Sequence, residues 1–438
     1  MARGESVLRF TPEQREAAMA VFAECSDLRE FGCRVLEATM NAMMDAEAQR
    51  QCGAARGERS EGRTNSRNGY RARSLKTSVG DLSLEVPKLR RGTYSPEGLL
   101  GRYTRVEASM VALVQEMYVA GVSTRKVERV SEALGVGSLS SSEVSGLCGG
   151  LDAEVGAFRS RDLGGRAYPY VWLDATYMKC RVGGRYVSRG LVTAIGMSEG
   201  GHKEFLGCDC VDTESYEGWR DFLRGLRERG LSGVRLVVSD DHAGLVRAVS
   251  EAFCGCAWQR CVTHLQRNLQ GHAHTLEGKR AVAALVRAAV SQRDPLAARA
   301  VWEEAAPWVS SVSAAAGRVF ESAREDALAF MSFPEEHWGK IRTNNVQERA
   351  NREIKRRYRS VQSFPSRESL LRLVGAVMLE EEGDWWHHRV FSPESAALAW
   401  EAPSAPAPDG ALARAIAEAD RRAEALVASV VDRWGSEA

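Results

Sequence analysis

Hydrophobic and polar positions change period several times along the chain, and the changes divide it. Residues 1–50 repeat at helical spacing. Thr11-Pro12-Glu13 reads as a helix start, a hydroxyl cap followed by proline at the first helical position, and Phe31, Val35, Leu36, Thr39, Met40 and Met43 recur along one side. This predicts a packing or dimerisation pair of helices. Residues 51–74 have no period and read as a basic loop or arm, whereas Lys76–Pro87 alternates around Gly80-Asp81 as a small hairpin does. Residues 104–160 predict three helices: one over 105–119 ending at Gly121, one from Ser123, and a third capped by Leu139-Ser-Ser-Ser-Glu-Val-Ser145. Helix, glycine turn and Ser-capped helix outline a helix-turn-helix, a pattern that many helical bundles share.

From Tyr168 the texture turns to strands. Tyr170–Asp174 is a short apolar strand ending in Asp. A hairpin follows across Gly183-Gly184, then strands over Gly190–Gly196 and Glu204–Val211, a helix over 215–229, a strand Val234–Ser239, a helix over 243–253 and a short strand near Ala257–Gln259. The order predicts an α/β fold with a mixed sheet and helices on its faces. Residues 265–340 are Ala-rich and helical, an all-α insertion. Ala402–Pro408 is a stiff Pro-rich linker, and an amphipathic helix over 411–434 follows it. The resulting division is 1–50, 51–103, 104–165, 166–264, 265–341, 342–400 and 401–438.

Thr343–Arg357 lacks Gly and Pro and predicts a helix. Val346, Ala350, Ile354 and Tyr358 form its apolar stripe, and Glu348 falls nearly opposite, among Asn344, Arg352 and Lys355. A lone carboxylate on a basic helix face suits a helix that lies along a polyanion and holds a cation. Glu353, nearer the stripe, ranks second. A surface helix with internal ion pairs is the plainer alternative.

Formal net charge is +1, so the total says little about partners. The distribution says more. Arg342–Arg372 holds nine Lys/Arg against three Asp/Glu, and Arg50–Lys76 holds eight against two, both footprints expected of nucleic-acid binding. The ten cysteines are irregularly spaced, residues 1–20 are charged rather than signal-like, and no apolar run is long enough to span a membrane. These features predict a reducing cytoplasm and free thiols.

Asp174 and Asp240 are expected at strand ends and Glu348 on a helix after the insertion. Strand ends share one rim of a sheet, where α/β sites are built. Three carboxylates converging there repel one another. Two hard divalent cations, Mg²⁺ or Mn²⁺, would relieve the repulsion and suit in-line phosphoryl transfer. Any one strand-end Asp alone reads as a turn or cap. Of Asp240-Asp241 the first is taken as the strand-end residue and Asp241 as a helix cap. Cys261-Val-Thr-His264 offers two metal ligands where structural zinc takes four; Cys208-Asp-Cys210 or Cys254-Gly-Cys256 would have to complete the set. The favoured reading puts His264, and His242 beside Asp240, near the site as hydrogen-bonding groups.

Several segments together carry a resemblance: Arg67-Asn-Gly-Tyr70, Gly121-Val-Ser-Thr-Arg125, Leu173-Asp-Ala-Thr-Tyr177, Val238–Leu245, Gln259-Arg-Cys-Val-Thr-His264 and Asn344–Arg357. Over about residues 35–390 the chain resembles the Mutator-type transposases of bacterial insertion sequences, acidic-triad enzymes with a ribonuclease H-like fold. The resemblance implies that Asp174, Asp240 and Glu348 are the metal-binding triad and that Cys261 and His264 are the family's Cys-x-x-His pair. It also implies that the region before the catalytic domain binds terminal inverted repeats, with at least a dimer on DNA. Arg67, Arg71, Arg73, Arg125, Lys126, Arg349, Arg352, Lys355, Arg356 and Arg357 are the expected DNA contacts. The expected reaction is cleavage at an element end and strand transfer to a target. No external energy is needed, because one phosphodiester replaces another; consistent with this, Gly278-Lys279 lacks the rest of a phosphate-binding loop. The alternatives are a non-catalytic DNA-binding regulator or domesticated transposase, and a ribonuclease H-like nuclease that cuts without joining.

Overall fold

A computed structural model describes residues 11–55, 57–58, 60–96, 106–133, 139–401 and 409–434. The predicted linker 402–408 lies outside them. The chain divides into two compact units between Gly150 and Leu151.

The first unit opens with α1 (Pro12–Ala23) and α2 (Leu28–Cys52). Asp27 caps α2 by accepting from the N–H groups of Arg29 and Glu30. The buried side of α2 is Met44, Ala48 and Cys52, while Leu36 and Met43 are exposed, so the expected apolar side is turned by about one residue. The cause is the hairpin packed on it, β1 (Arg67–Thr77) with β2 (Gly80–Leu89), whose Leu75, Leu82, Leu84 and Val86 close a small core with Met44, Ala48 and Tyr94. This hairpin is longer than predicted, because residues 67–74 are strand rather than arm. Three helices follow: α3 (Ala108–Val119), α4 (Thr124–Ala133) and α5 (Ser141–Cys148). Gly121 turns the chain between α3 and α4 at φ 86°, a conformation costly for any residue with a Cβ. A reciprocal Ser140–Glu143 capping box starts α5.

The second unit begins with α6 (Leu151–Ser160), a separate fourth helix where three had been expected over 104–160. A five-stranded sheet follows: β3 (Tyr170–Val182), β4 (Arg185–Met197), β5 (Lys203–Val211), β6 (Leu236–Ser239) and β7 (Ala257–Arg260), in spatial order β5-β4-β3-β6-β7. β3, β4 and β5 are antiparallel neighbours; β3, β6 and β7 are parallel. Gly183 and Gly184, both at positive φ, make the two-residue β3–β4 turn that suits the right-handed twist of a hairpin.

On one face of the sheet lie α7 (Tyr216–Glu228) and α8 (Ala243–Ala252). Their Trp219, Leu223, Leu226, Leu245 and Val249 pack on Val171, Leu173, Val192 and Val237. After β7 the chain is helical through α9 (Val262–His272), α10 (Leu276–Val290), α11 (Pro295–Val312), α12 (Ala314–Ser322), α13 (Arg324–Leu328) and α14 (Trp338–Ile341). The opposite face of the sheet is covered by α15 (Asn345–Val361) and α16 (Arg367–Trp385). A short α17 (Pro393–Leu398) and a long α18 (Asp409–Trp434) complete the chain, and α18 packs on α10 and α11. No helix among the described residues is long and apolar enough to cross a membrane.

Candidate active site

The site is assembled where α15 meets β3. The buried side of α15 is polar, made of Gln347, Asn351 and Arg357 alongside Ala350 and Ile354, with Asn344 buried just before it. Asn344 Nδ2 donates to Leu173 O at 2.9 Å, and its N–H donates to Cys261 Sγ at 3.2 Å. Gln347 Nε2 donates to Trp172 O at 2.9 Å and Thr193 O at 3.1 Å. Asn351 Nδ2 donates to Asp174 Oδ2. The helix is thereby turned from the expected orientation: Asn344 is buried rather than grouped with Glu348 on the exposed side, and Val346 is only half-buried. Buried amides need partners, and the strand carbonyls supply them.

Asp174 does not end its strand. β3 continues to Val182, but its pairing with β6 stops at Trp172, so Asp174 stands just past the rim of the five-stranded part. Burial pushes its carboxyl up to about 6, opposed by the charges of His264 and Lys355 and by the Asn351 hydrogen bond. His264, on the first turns of α9, is pushed up to about 9. The adjacent Cys261 side chain is the main cause, with Asp240 and Asp174 adding their charge against the cost of burial. His264 thus lies within electrostatic reach of both aspartates.

Asp240 follows the last residue of β6 and is exposed; its Oδ1 accepts from the N–H of Asp241 at 2.7 Å. Asp241 is not the helix cap. α8 starts at Ala243, so the cap position falls on His242, whose Nδ1 accepts from Leu245 N at 3.3 Å. Asp241 instead pairs with the buried Arg260 at 2.8 Å. Glu348, in the first turn of α15, is half-buried. Arg267 of α9 reaches it, Nη1 to Oε1 at 2.8 Å, yet Oε1 is buried without a hydrogen-bond donor among the described residues.

Carboxylate oxygens fit a hard divalent cation: Asp174 is a desolvated carboxylate and Glu348 a half-buried one whose Oε1 meets Arg267. No three His, Cys, Asp or Glu side chains among the described residues are gathered closely enough to hold one ion, with Glu348 engaged by Arg267. Burial pushes the Cys208 thiol up to about 12 and the Cys256 thiol up to about 11.

The expected DNA contacts separate into two groups. Arg349, Arg352, Lys355 and Arg356 are exposed on α15, Arg356 pairing with Glu353 at 2.9 Å. Arg71, Arg125 and Lys126 are exposed in the first unit, and Arg73 is half-buried. Two expectations are corrected. Arg357 is buried between Glu353 at 2.6 Å and Glu380 at 2.7 Å, and Arg67 is a mostly buried partner of Asp45 at 2.8 Å, which also takes the Tyr70 hydroxyl at 3.0 Å. Neither guanidinium is presented to a phosphate.

Sequence reasoning passed over Gln347, Asn351 and Arg267. A signal existed for the first two, since Asn344, Gln347 and Asn351 repeat at helical spacing. Arg267 had none, because its partner is set only by the packing of α9 beside α15.

Comparison with known proteins agrees with the resemblance. The profile of the family described as Transposase, Mutator family, matches residues 11–388. The transposase for insertion sequence element IS1081 of Mycobacterium tuberculosis is 41% identical over 357 residues, 82% of this chain and 86% of that protein. The transposase for IS406 of Burkholderia multivorans is 35% identical over 88% of this chain and 98% of its own length. The transposase for IS256 in transposon Tn4001 of Staphylococcus aureus is 35% identical over 80% of this chain and 90% of its own.

Proposed function

The chain belongs to the Mutator family of transposases, and from that premise we propose that it cuts DNA at the ends of an insertion sequence and joins the freed ends to a target. In this reading Asp174, Asp240 and Glu348 are the catalytic carboxylates of a ribonuclease H-like domain. Three antiparallel strands followed by two parallel ones, with acidic residues where β3 passes β6 and where β6 ends, support that assignment. The observation that carries the proposal is the convergence on Asp174. β3 bears it, His264 links it electrostatically to Asp240, and Asn351 ties it to α15, the helix that carries Glu348.

Asp174, Asp240 and Glu348 would hold Mg²⁺ or Mn²⁺, which when bound supplies Lewis-acid stabilisation of the phosphoryl oxygens. The chain's own residues do the rest. Asn351 fixes the rotamer of Asp174. His264 keeps a proton beside both aspartates and can donate a hydrogen bond to a phosphate oxygen. Arg352 and Lys355, exposed along α15, offset backbone charge. Ionised Asp174 is the working form, and approach of a cation favours it over the protonated form that burial favours.

End recognition is assigned to α3–α5, read as a helix-turn-helix, with Arg125 and Lys126 outward on α4 while Val127 and Ser131 face inward. Holding two ends at once calls for at least a dimer on DNA, working in the cytoplasm. The test mixes purified protein, a labelled duplex of the element end and a plasmid target, with Mg²⁺ or EDTA. Mg²⁺-dependent joined product that disappears in Asp174→Asn supports the proposal. Cleavage without joining makes the protein a nuclease, and tight end binding with neither step makes it a regulator.

A further inference from the structure

α9 reaches the proposed site at two points. Its first residue, Val262, donates its N–H to Arg342 O, which ties the helix to the segment leading into α15. His264 lies within electrostatic reach of Asp174 and Asp240. Arg267 stands three residues on, so the two side chains are neighbours on one face of the helix. Its Nη1 lies 2.8 Å from Glu348 Oε1. One helix therefore brings a histidine to two of the three proposed carboxylates and an arginine to the third.

Two arginine–carboxylate pairs border the site, and they are built in opposite ways. In Arg260–Asp241 the arginine side chain is 5% exposed and the acid 40%. A buried guanidinium stays where the packing puts it, so that pair holds the chain next to Asp240 in place. In Arg267–Glu348 the exposures are reversed, 59% for the arginine and 25% for the glutamate. Glu348 is the fixed partner, on a helix anchored to β3 and β4 by Asn344, Gln347 and Asn351. Arg267 is the releasable one. It has no other ion pair among the described residues, and water reaches most of its side chain. Exposed pairs of this kind hold weakly, because water screens the attraction and a long side chain loses freedom in keeping it.

The oxygen that meets Arg267 is also of the kind a hard divalent cation takes. A guanidinium and a divalent ion repel each other across one carboxylate, so the second to arrive displaces the first. We propose that Arg267 is a releasable counter-ion of Glu348: it neutralises the third carboxylate until a divalent cation binds, and it leaves as the cation arrives. The proposal rests on the reading of Glu348 as a metal-binding carboxylate. Its consequence is that the paired state taxes metal binding, since only enzyme with Glu348 released is competent to bind.

Mn²⁺ binding by the full-length protein without DNA, followed by the electron paramagnetic resonance signal of the free ion, tests it. Arg267→Gln removes the charge and keeps part of the stem. It is expected to bind Mn²⁺ about threefold more tightly, the change that loss of a weak competing pair gives. Arg267→Lys is expected to bind near the wild-type level. Lys355→Gln removes another cation, one whose charge acts on Asp174, and is expected to tighten binding less. Unchanged or weaker binding by Arg267→Gln overturns the proposal. Equal tightening by Lys355→Gln also overturns it, because the effect is then that of overall charge and not of the pair. Glu348→Gln separates the proposal from its premise. It is expected to weaken Mn²⁺ binding and to cancel the effect of Arg267→Gln in the double variant; tightening that persists there counts against the pair. If Glu348→Gln weakens binding while Arg267→Gln changes nothing, Glu348 remains a metal ligand and only the counter-ion role falls. If Glu348→Gln leaves Mn²⁺ binding unchanged, premise and proposal fall together.

Discussion

The two basic tracts, residues 50–76 and 342–372, look alike in composition and differ in how the fold spends their charge. In the first, Arg67 is turned inward to Asp45 and anchors the β1–β2 hairpin on α2, while Arg71 remains on the outside of the strand. In the second, α15 buries Arg357 against two glutamates and keeps Arg349, Arg352 and Lys355 outside, on a helix that also carries Glu348 and holds Asp174 through Asn351. Each tract therefore mixes arginines that build with arginines that face solvent. In the second, the exposed cations stand on the same helix as Glu348 and Glu353. A count of basic residues finds both regions, but the partner of each side chain decides its work.

Substitutions sharpen this contrast. The largest stability effect is expected from Arg357→Ala, which strands Glu353 and Glu380 and removes a buried stem; because those carboxylates can partly rehydrate, the loss should be about 2–3 kcal/mol. Urea denaturation would read it, and an unchanged midpoint would place Arg357 among the surface cations. Arg67→Ala should cost about 1–2 kcal/mol in the same experiment, since Asp45 is more exposed than the guanidinium it pairs with. Lys355→Ala sits at the small end for stability, with no measurable change. It should weaken DNA binding and reduce the slope of log affinity against log salt by about one, the signature of one lost phosphate contact. A salt slope unchanged by Lys355→Ala but reduced by Arg357→Ala would reverse the division drawn here.

Much of this arrangement could be read from the residues. Apolar runs bounded by glycines located the strands, Gly183-Gly184 located the hairpin, and the alternation of strands and helices led to the mixed sheet. Asp240 stands where a strand-end reading puts it. The reach of β3 past Asp174 was hidden, because a ribbon whose strands pair mainly with each other has no apolar run to announce it. The orientation of α15 was hidden for a different reason. Its apolar stripe is real, but Asn344, Gln347 and Asn351 find strand carbonyls, and hydrogen bonding of buried amides outweighs half-burial of Val346. The Arg67–Asp45 and Arg267–Glu348 pairs are tertiary choices between residues far apart in the chain, for which spacing carries no signal.

The central claim is that Glu348, though paired with Arg267 in this structure, is the third catalytic carboxylate. Glu348→Gln keeps the shape of the side chain and removes its charge, so it separates chemistry from folding. Strand transfer by this variant is to be measured alongside gel-shift binding of the same element-end duplex. The account predicts that joining is lost while end binding and melting temperature stay near wild type. Joining at the wild-type rate, or end binding lost together with joining, would contradict it and leave the Arg267–Glu348 pair a structural one.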